Sequence, residues 1–232
     1  KSRNLKKSEI NILDWGCSRG TEVIWFRKQG YNVYGVDIDP EPVNNGKKLI
    51  KKMGLNNDIL GVLKSNKTNF PDNYFHLIFS NQVFEHIDDI QSVASELYRI
   101  TKPKGVGYHV FPGFLYPNEG HLHMPFVHWL PKNRIRAFFI LIYVFLGREP
   151  KWDELSGMNL LEKAKTYYNY SINKTFYRSP KLLTKIFEEA SFQVEHGTNK
   201  INKSKDSSSK IGLLTQYLRV VFYEDELVLG KM

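Results

Sequence analysis

Two groups of residues in this chain could do chemistry. The first is Ile12-Leu13-Asp14-Trp15-Gly16-Cys17-Ser18-Arg19-Gly20, with Asp37 following 23 residues after Asp14 at the end of Asn32-Val33-Tyr34-Gly35-Val36-Asp37. Glycines at 16 and 20 permit a tight turn and close approach of the backbone to a ligand. An acid closing a second strand can accept both hydroxyls of a ribose. A nicotinamide dinucleotide site would instead read G-x-G-x-x-G, with helix-start amides taking the pyrophosphate. Asp14 would repel a pyrophosphate, yet it can hold a cationic amino group. The ligand implied is a nucleoside joined to an amino acid.

The second group is histidine. Five of the seven, His86, His109, His121, His123 and His128, fall between the end of the fourth candidate strand and the segment that follows the fifth. An imidazole near neutral pKa can take a proton from an attacking hydroxyl. In Glu119-Gly120-His121-Leu122-His123 an extended backbone would turn Glu119, His121 and His123 the same way. That face could supply a base, touch a substrate or hold a divalent ion, for which an imidazole pair suits zinc or iron better than magnesium. His86, after Glu85, is the competing base, and a buried Glu85-His86 pair that merely fixes the loop is the structural alternative.

Both groups need a scaffold that brings strand ends together. Apolar, β-branched runs alternate with helical patterns, as in a parallel sheet with crossover helices. Strands are expected at Glu9 to Asp14, Asn32 to Asp37, Ile59 to Leu63, Tyr74 to Ser80, Val106 to Phe111, Phe192 to His196 and Glu226 to Gly230. Helices are expected over Thr21 to Lys28, from Pro40 or Pro42 toward Met53, after Asp88 as cap, from Pro180 to Ala190, and over Gly212 to Val221. The polar stretch Asn199 to Lys210 reads as a loop. The domain plan is a core over 1–112, an insertion or lid forming the substrate site over 113–178, and the rest of the same core over 179–232. In a doubly wound sheet the strand-end residues would line one crevice, and the chain leaving the fifth strand would start at that same edge.

The strand, Asp14 and glycine turn resemble the first motif of the class I S-adenosylmethionine-dependent methyltransferases, D-x-G-x-G-x-G, with Ser18 in place of the middle glycine. Phe70 to Ile87 is similar to the fourth-strand block of the small-molecule branch, which includes the quinone-biosynthesis methyltransferases. Leu97 to Val106 is similar to that branch's turn into the fifth strand. The resemblance implies an α/β, doubly wound, mostly parallel seven-stranded sheet of Rossmann-like type, with a helical, aromatic-rich insertion after the fifth strand. It implies S-adenosylmethionine as cofactor, held by Asp14, Gly16, Cys17, Ser18, Gly20, Asp37, Ile38, Asn66, Asn81 and Gln82. Two positions depart from the pattern. His76 stands where an acid is usual, and the acid near the adenine is replaced within Lys64-Ser65-Asn66, leaving Ser65 or Asn66 for that role.

Ser80-Asn81-Gln82-Val83 lacks the N-P-P-Y-like tetrapeptide of enzymes that methylate nucleobase or glutamine nitrogens. The expectation is O-methylation of a small-molecule hydroxyl, a sugar or lipid-linked glycan first, with His121, His123 or His86 as base and no metal. The alternatives are a quinone-type C- or O-methyltransferase, an RNA methyltransferase, and a cofactor-binding regulator without catalysis.

Composition narrows the partners. At 41% hydrophobic and 25% charged residues the chain can bury a core without disulfides, and its one cysteine excludes an internal bridge. The net charge of +9 divides as +4 before residue 113 and +5 after it, with Lys outnumbering Arg, so a specific nucleic-acid site is not expected. No signal-peptide core opens the chain, which fits a cytoplasmic protein with a trimmed first residue. The run Ala137 to Leu146 is too short for the ~20 residues that span a bilayer. It reads as a buried lid helix or homodimer contact before a peripheral membrane contact.

Overall fold

The computed structural model describes residues 5–54, 56–196 and 225–232. The helix expected over Gly212 to Val221 and the polar stretch Asn199 to Lys210 lie outside them. Two compact units form, one from the described residues of 1–84, 89–111 and 181–232, the other from 85–88 and 112–180. His86 thus belongs with the insertion.

The first unit is built on β1 (Asn11–Trp15), β2 (Asn32–Asp37), β3 (Leu60–Val62), β4 (Phe75–Asn81), β5 (Thr101–Phe111), β6 (Gln193–His196) and β7 (Asp225–Gly230). Their order is β3-β2-β1-β4-β5-β7-β6. The first five strands pair in parallel, and β7 runs antiparallel to β5 and β6. This is the mostly parallel seven-stranded sheet that the resemblance implied. Buried Ile12, Val33, Leu77, Phe79 and Val110 alternate along it with residues of the opposite face, and Val23, Phe26, Val43 and Ile50 pack on it from the helices. The order reverses at β1 and β4, which places the crevice at their carboxyl ends.

Helix α1 (Thr21–Lys28) starts at Gly20 in left-handed backbone, φ 74°, and Gly30, φ 90°, ends the turn after it. Helix α2 (Pro40–Lys52) has Asp39 as N-cap, its carboxylate accepting from Glu41 N–H. Helix α3 (Ile90–Ile100) corrects an expectation: Asp89, not Asp88, caps it by accepting from Ser92 N–H at 3.0 Å. The fifth strand also starts earlier than expected. Thr101 already pairs with Phe75, and the Lys102 to Gly105 stretch is absorbed as a bulge before Val106 meets Leu77. Helix α6 (Pro180–Glu189; α4 and α5 belong to the insertion) leads into β6.

The second unit has its own core. Helix α4 (Arg134–Phe145) and helix α5 (Leu160–Asn173) bury Ile140, Val144, Ala164 and Tyr167 against Leu122, Met124, Val127 and Leu155. Asn159 and Glu162 close a reciprocal capping box at the start of α5. The reading of Ala137 to Leu146 as a buried helix needs correction. Arg136, Ile140 and Val144, four residues apart, are buried and Leu141 and Tyr143 pack beside them, while Phe138 and Phe145 are 59% and 74% exposed. Among the described residues no helix is long and apolar enough to cross a membrane.

Candidate functional site

At the carboxyl end of β1 the chain turns sharply. Gly16 and Cys17 donate N–H to Val36 O at 2.7 and 3.0 Å, and Gly20 N–H donates to Cys17 O at 2.7 Å. Gly16 has φ 88°, and a Cβ there would lie 2.3 Å from a methyl of Val83. Ser18, where the family pattern has its middle glycine, keeps that glycine's left-handed backbone, φ 48°. A side chain in that region costs about 1 kcal/mol, offset here by a bond from Ser18 N–H to Asp37 Oδ2 of 2.7 Å. Asp37 Oδ1 accepts from Asp39 N–H at 2.9 Å, so the carboxylate is fixed from both sides. Cys17 is buried, and burial followed by the charge of Asp14 pushes its thiol pKa up. It packs the turn and offers no nucleophile.

Two buried oxygens at these strand ends, Asp14 Oδ2 on β1 and Asn81 Oδ1 on β4, have no hydrogen-bond partner among the described residues. Unmet buried acceptors are rare and call for a donor. Burial, then the charges of Glu22 and Asp37, hold Asp14 well above the ordinary carboxylate range. An ammonium group would relieve both conditions. Gln82, φ 56°, donates N–H to Val110 O at 2.8 Å and turns the chain out of the sheet. Ile38 is 70% exposed beside Asp37, a bare apolar surface suited to a flat ring. Asn66 is tied differently from the expectation: its Nδ2 donates to Asp89 O at 3.4 Å. Ser65 lines a cavity of about 510 Å³ along β2 and β3. His76 accepts from Asn11 N–H and meets Lys102 Nζ at 3.2 Å, a tie between neighbouring strands in place of the usual acid. The residues of the turn, Asp14, Asp37 and Asn81 fit a nucleoside joined to an amino acid.

The histidines form a second site within the insertion unit. Glu119 to His123 is not extended: His123 N–H returns to Glu119 O at 2.9 Å, and Glu119 accepts from the N–H groups of His121 and Leu122. Backbone bonding in this tight turn outweighs extension, so Glu119 and His121 stay together while His123 is left exposed with φ 53°. His121 Nδ1 lies 3.3 Å from Glu119 Oε1, which also accepts from the Tyr177 hydroxyl at 2.7 Å. Burial alone would raise the Glu119 pKa, but these donors outweigh it and hold the carboxyl below its usual value. Burial and Glu119 push the Tyr177 phenol up, so it stays a donor.

His86 comes to the same place from the other side of the unit. Its Nδ1 is 2.6 Å from Lys174 O, and a carbonyl can only accept, so Nδ1 carries the proton. Burial lowers the His86 pKa, leaving a neutral ring whose Nε2 lone pair stands 3.8 Å from the buried Glu85 Oε1. The ring centroids of His86 and His121 are 4.7 Å apart. Sequence reasoning had His86 and His121 as rivals and missed Tyr177 and Lys174, which lie too far along the chain to pair by spacing. Ligand atoms of Glu85, His86 and His121 lie within 4.8 Å of one another, so a divalent ion could also be held. Of the other histidines, His109 is fully buried, shares a 2.8 Å hydrogen bond with Ser80 and stacks on Phe84, while His128 lies 3.1 Å from Phe114 O.

Comparison with known proteins bears on the family and the fold. Residues 13–108 match the family model described as a methyltransferase domain. An uncharacterized methyltransferase of Schizosaccharomyces pombe is 34% identical over 110 residues, 44% of this chain and 39% of that one. A probable chloroplastic tocopherol O-methyltransferase of Oryza sativa is 29% identical over 100 residues, 42% of this chain and 28% of that one. The match thus spans well under half the length of either relative. A solved S-adenosylmethionine-dependent methyltransferase of Aquifex aeolicus superposes with a TM-score of 0.52 at 18% identity, covering 97% of this chain and 82% of that one. Residues 13–108 therefore match a methyltransferase domain, and the chain shares its fold with a solved S-adenosylmethionine-dependent methyltransferase.

Proposed function

We propose that the chain transfers a methyl group from S-adenosylmethionine to a hydroxyl of a small molecule, a sugar or lipid-linked glycan in first place. The observation that carries the oxygen acceptor is the His86 and His121 pair, each Nδ1 facing a fixed acceptor, Lys174 O or Glu119 Oε1. In the neutral rings this arrangement keeps the proton on Nδ1 and the lone pair on Nε2. When bound, the cofactor supplies an electrophilic methyl on a sulfonium. Asp14 and Asn81 would hold its amino end, and Asp37 its ribose. On this reading His121 would take the hydroxyl proton on Nε2, and Glu119 would stabilise the imidazolium that forms.

A second reading, the hydroxyl of a phenol or hydroquinone, draws on relatives whose names are those of a probable tocopherol O-methyltransferase and a 2-methyl-6-phytyl-1,4-hydroquinone methyltransferase. Both readings are tested by incubating the chain with methyl-labelled cofactor and pools of sugars, polyprenyl-linked glycans and hydroquinones. The label is expected on oxygen. Label on nitrogen or carbon overturns the assignment of the histidines.

A further inference from the structure

The insertion unit contains a cavity of about 240 Å³ that takes no part in the function proposed above. Lys132, Arg136 and Arg178 line it with His128 and Thr175, and among the described residues no carboxylate does. Neither Lys132 nor Arg136 makes an ion pair among the described residues. Backbone carbonyls hold them instead. Lys132 Nζ donates to Ile172 O and Thr175 O, both at 2.8 Å, and sits 4.2 Å above the Phe176 ring. Arg136 donates to Leu130 O, Ser171 O and His128 O. Arg178 donates to Ile87 O, Asp88 O and Phe176 O.

Carbonyl dipoles position Lys132 and Arg136 without cancelling their charges, and Arg178 lines the same small space. Burial first, then Arg136, lower the Lys132 pKa; the exposed Asp88 acts the other way, and Arg178 adds a smaller lowering. Burial also lowers that of Arg136, against the influence of Glu119. Preorganised, like-charged donors with no acid among them are what an oxyanion needs, and guanidinium and ammonium groups both recognise phosphate. The volume is below the ~300 Å³ at which whole-ligand pockets begin, so it suits one group of a larger molecule.

We propose that this cavity binds a phosphoryl or pyrophosphoryl group. Its identification as part of the methyl acceptor, making that acceptor a phosphorylated sugar or glycan, rests on the O-methyltransfer reading; the binding itself does not. Titration calorimetry with inorganic pyrophosphate tests it without any methyl transfer. Wild type is expected to bind below millimolar, Lys132→Met at least tenfold more weakly, and Lys132→Arg nearly as wild type, with Asp37→Ala leaving the affinity unchanged. Circular dichroism checks that each replacement leaves the fold intact. Two further arms separate the sources of the group: a nucleoside diphosphate sugar in solution, and neutral phospholipid vesicles carrying an isoprenyl diphosphate. Binding that depends on Lys132 in either arm supports the site and names its source. No pyrophosphate binding at millimolar concentration, or binding that both Lys132→Met and Arg178→Gln leave untouched, overturns it.

Discussion

His86 and His121 lie with ring centroids 4.7 Å apart and ring planes inclined at 70°, although 35 residues separate them in the chain. Each ring is held at Nδ1 by a different acceptor, and on the proposed reading the two rings act as one proton-handling unit. The expected outcome is non-additivity. His86→Ala and His121→Ala should each lower turnover, and the double variant should fall no further than the worse single one, as in units that fail together. Fully multiplicative losses in a double-mutant cycle would show that the rings work apart.

Asp14 should make cofactor binding pH-dependent. Burial raises its pKa in the unliganded domain, and a cationic amino end would lower it again. Binding should therefore release a proton, with affinity for S-adenosylhomocysteine rising as pH climbs through the Asp14 pKa. Calorimetry in buffers of different ionisation enthalpy reads this directly. Asp14→Asn should abolish the proton release, and Asp37→Ala should weaken binding by about 1 to 3 kcal/mol.

His109 should govern part of the acid stability. Burial holds its pKa down at about 3 against 6.5 for the free ring. Between those values the unfolded chain binds the proton and the folded one does not, so stability falls as pH drops from 6.5 toward 3. The loss should reach a few kcal/mol at the acid end. Urea unfolding of His109→Phe across this range should give a flatter profile than wild type, and an unchanged slope would contradict the assignment.

Gly16→Ala should cost about 1 to 3 kcal/mol of stability and most of the cofactor affinity, from the left-handed backbone and the contact with Val83. Val83→Ala in the same chain should restore part of the stability, because it removes the contact and leaves the backbone strain. No rescue in a thermal melt would place the whole effect in the backbone.

What could be read in advance was local in the chain. Asp14, the Gly16 to Gly20 turn and Asp37 sit where strand ends put them, and the β-branched runs that flank them mark the sheet directly. Ser18 was legible as a glycine substitute, but its left-handed φ was not. The insertion was legible only as an interruption. Its sites depend on partners far along the chain: Tyr177 is 58 residues from Glu119, and Lys174 is 88 from His86. The even spread of positive charge likewise concealed that Lys132, Arg136 and Arg178 meet around one cavity. Extension of Glu119 to His123 failed as an expectation because alternation says nothing about a turn whose backbone donors are taken by a side-chain carboxylate.

The most direct test is the single-turnover rate of methyl transfer to oxygen by His121→Ala at saturating cofactor, with the affinity for S-adenosylhomocysteine measured on the same sample. A general base acts only on the transition state, so the rate should fall roughly 100- to 10,000-fold while that affinity stays as in wild type. Full turnover by both His121→Ala and His86→Ala would contradict a histidine base and, with it, the hydroxyl acceptor.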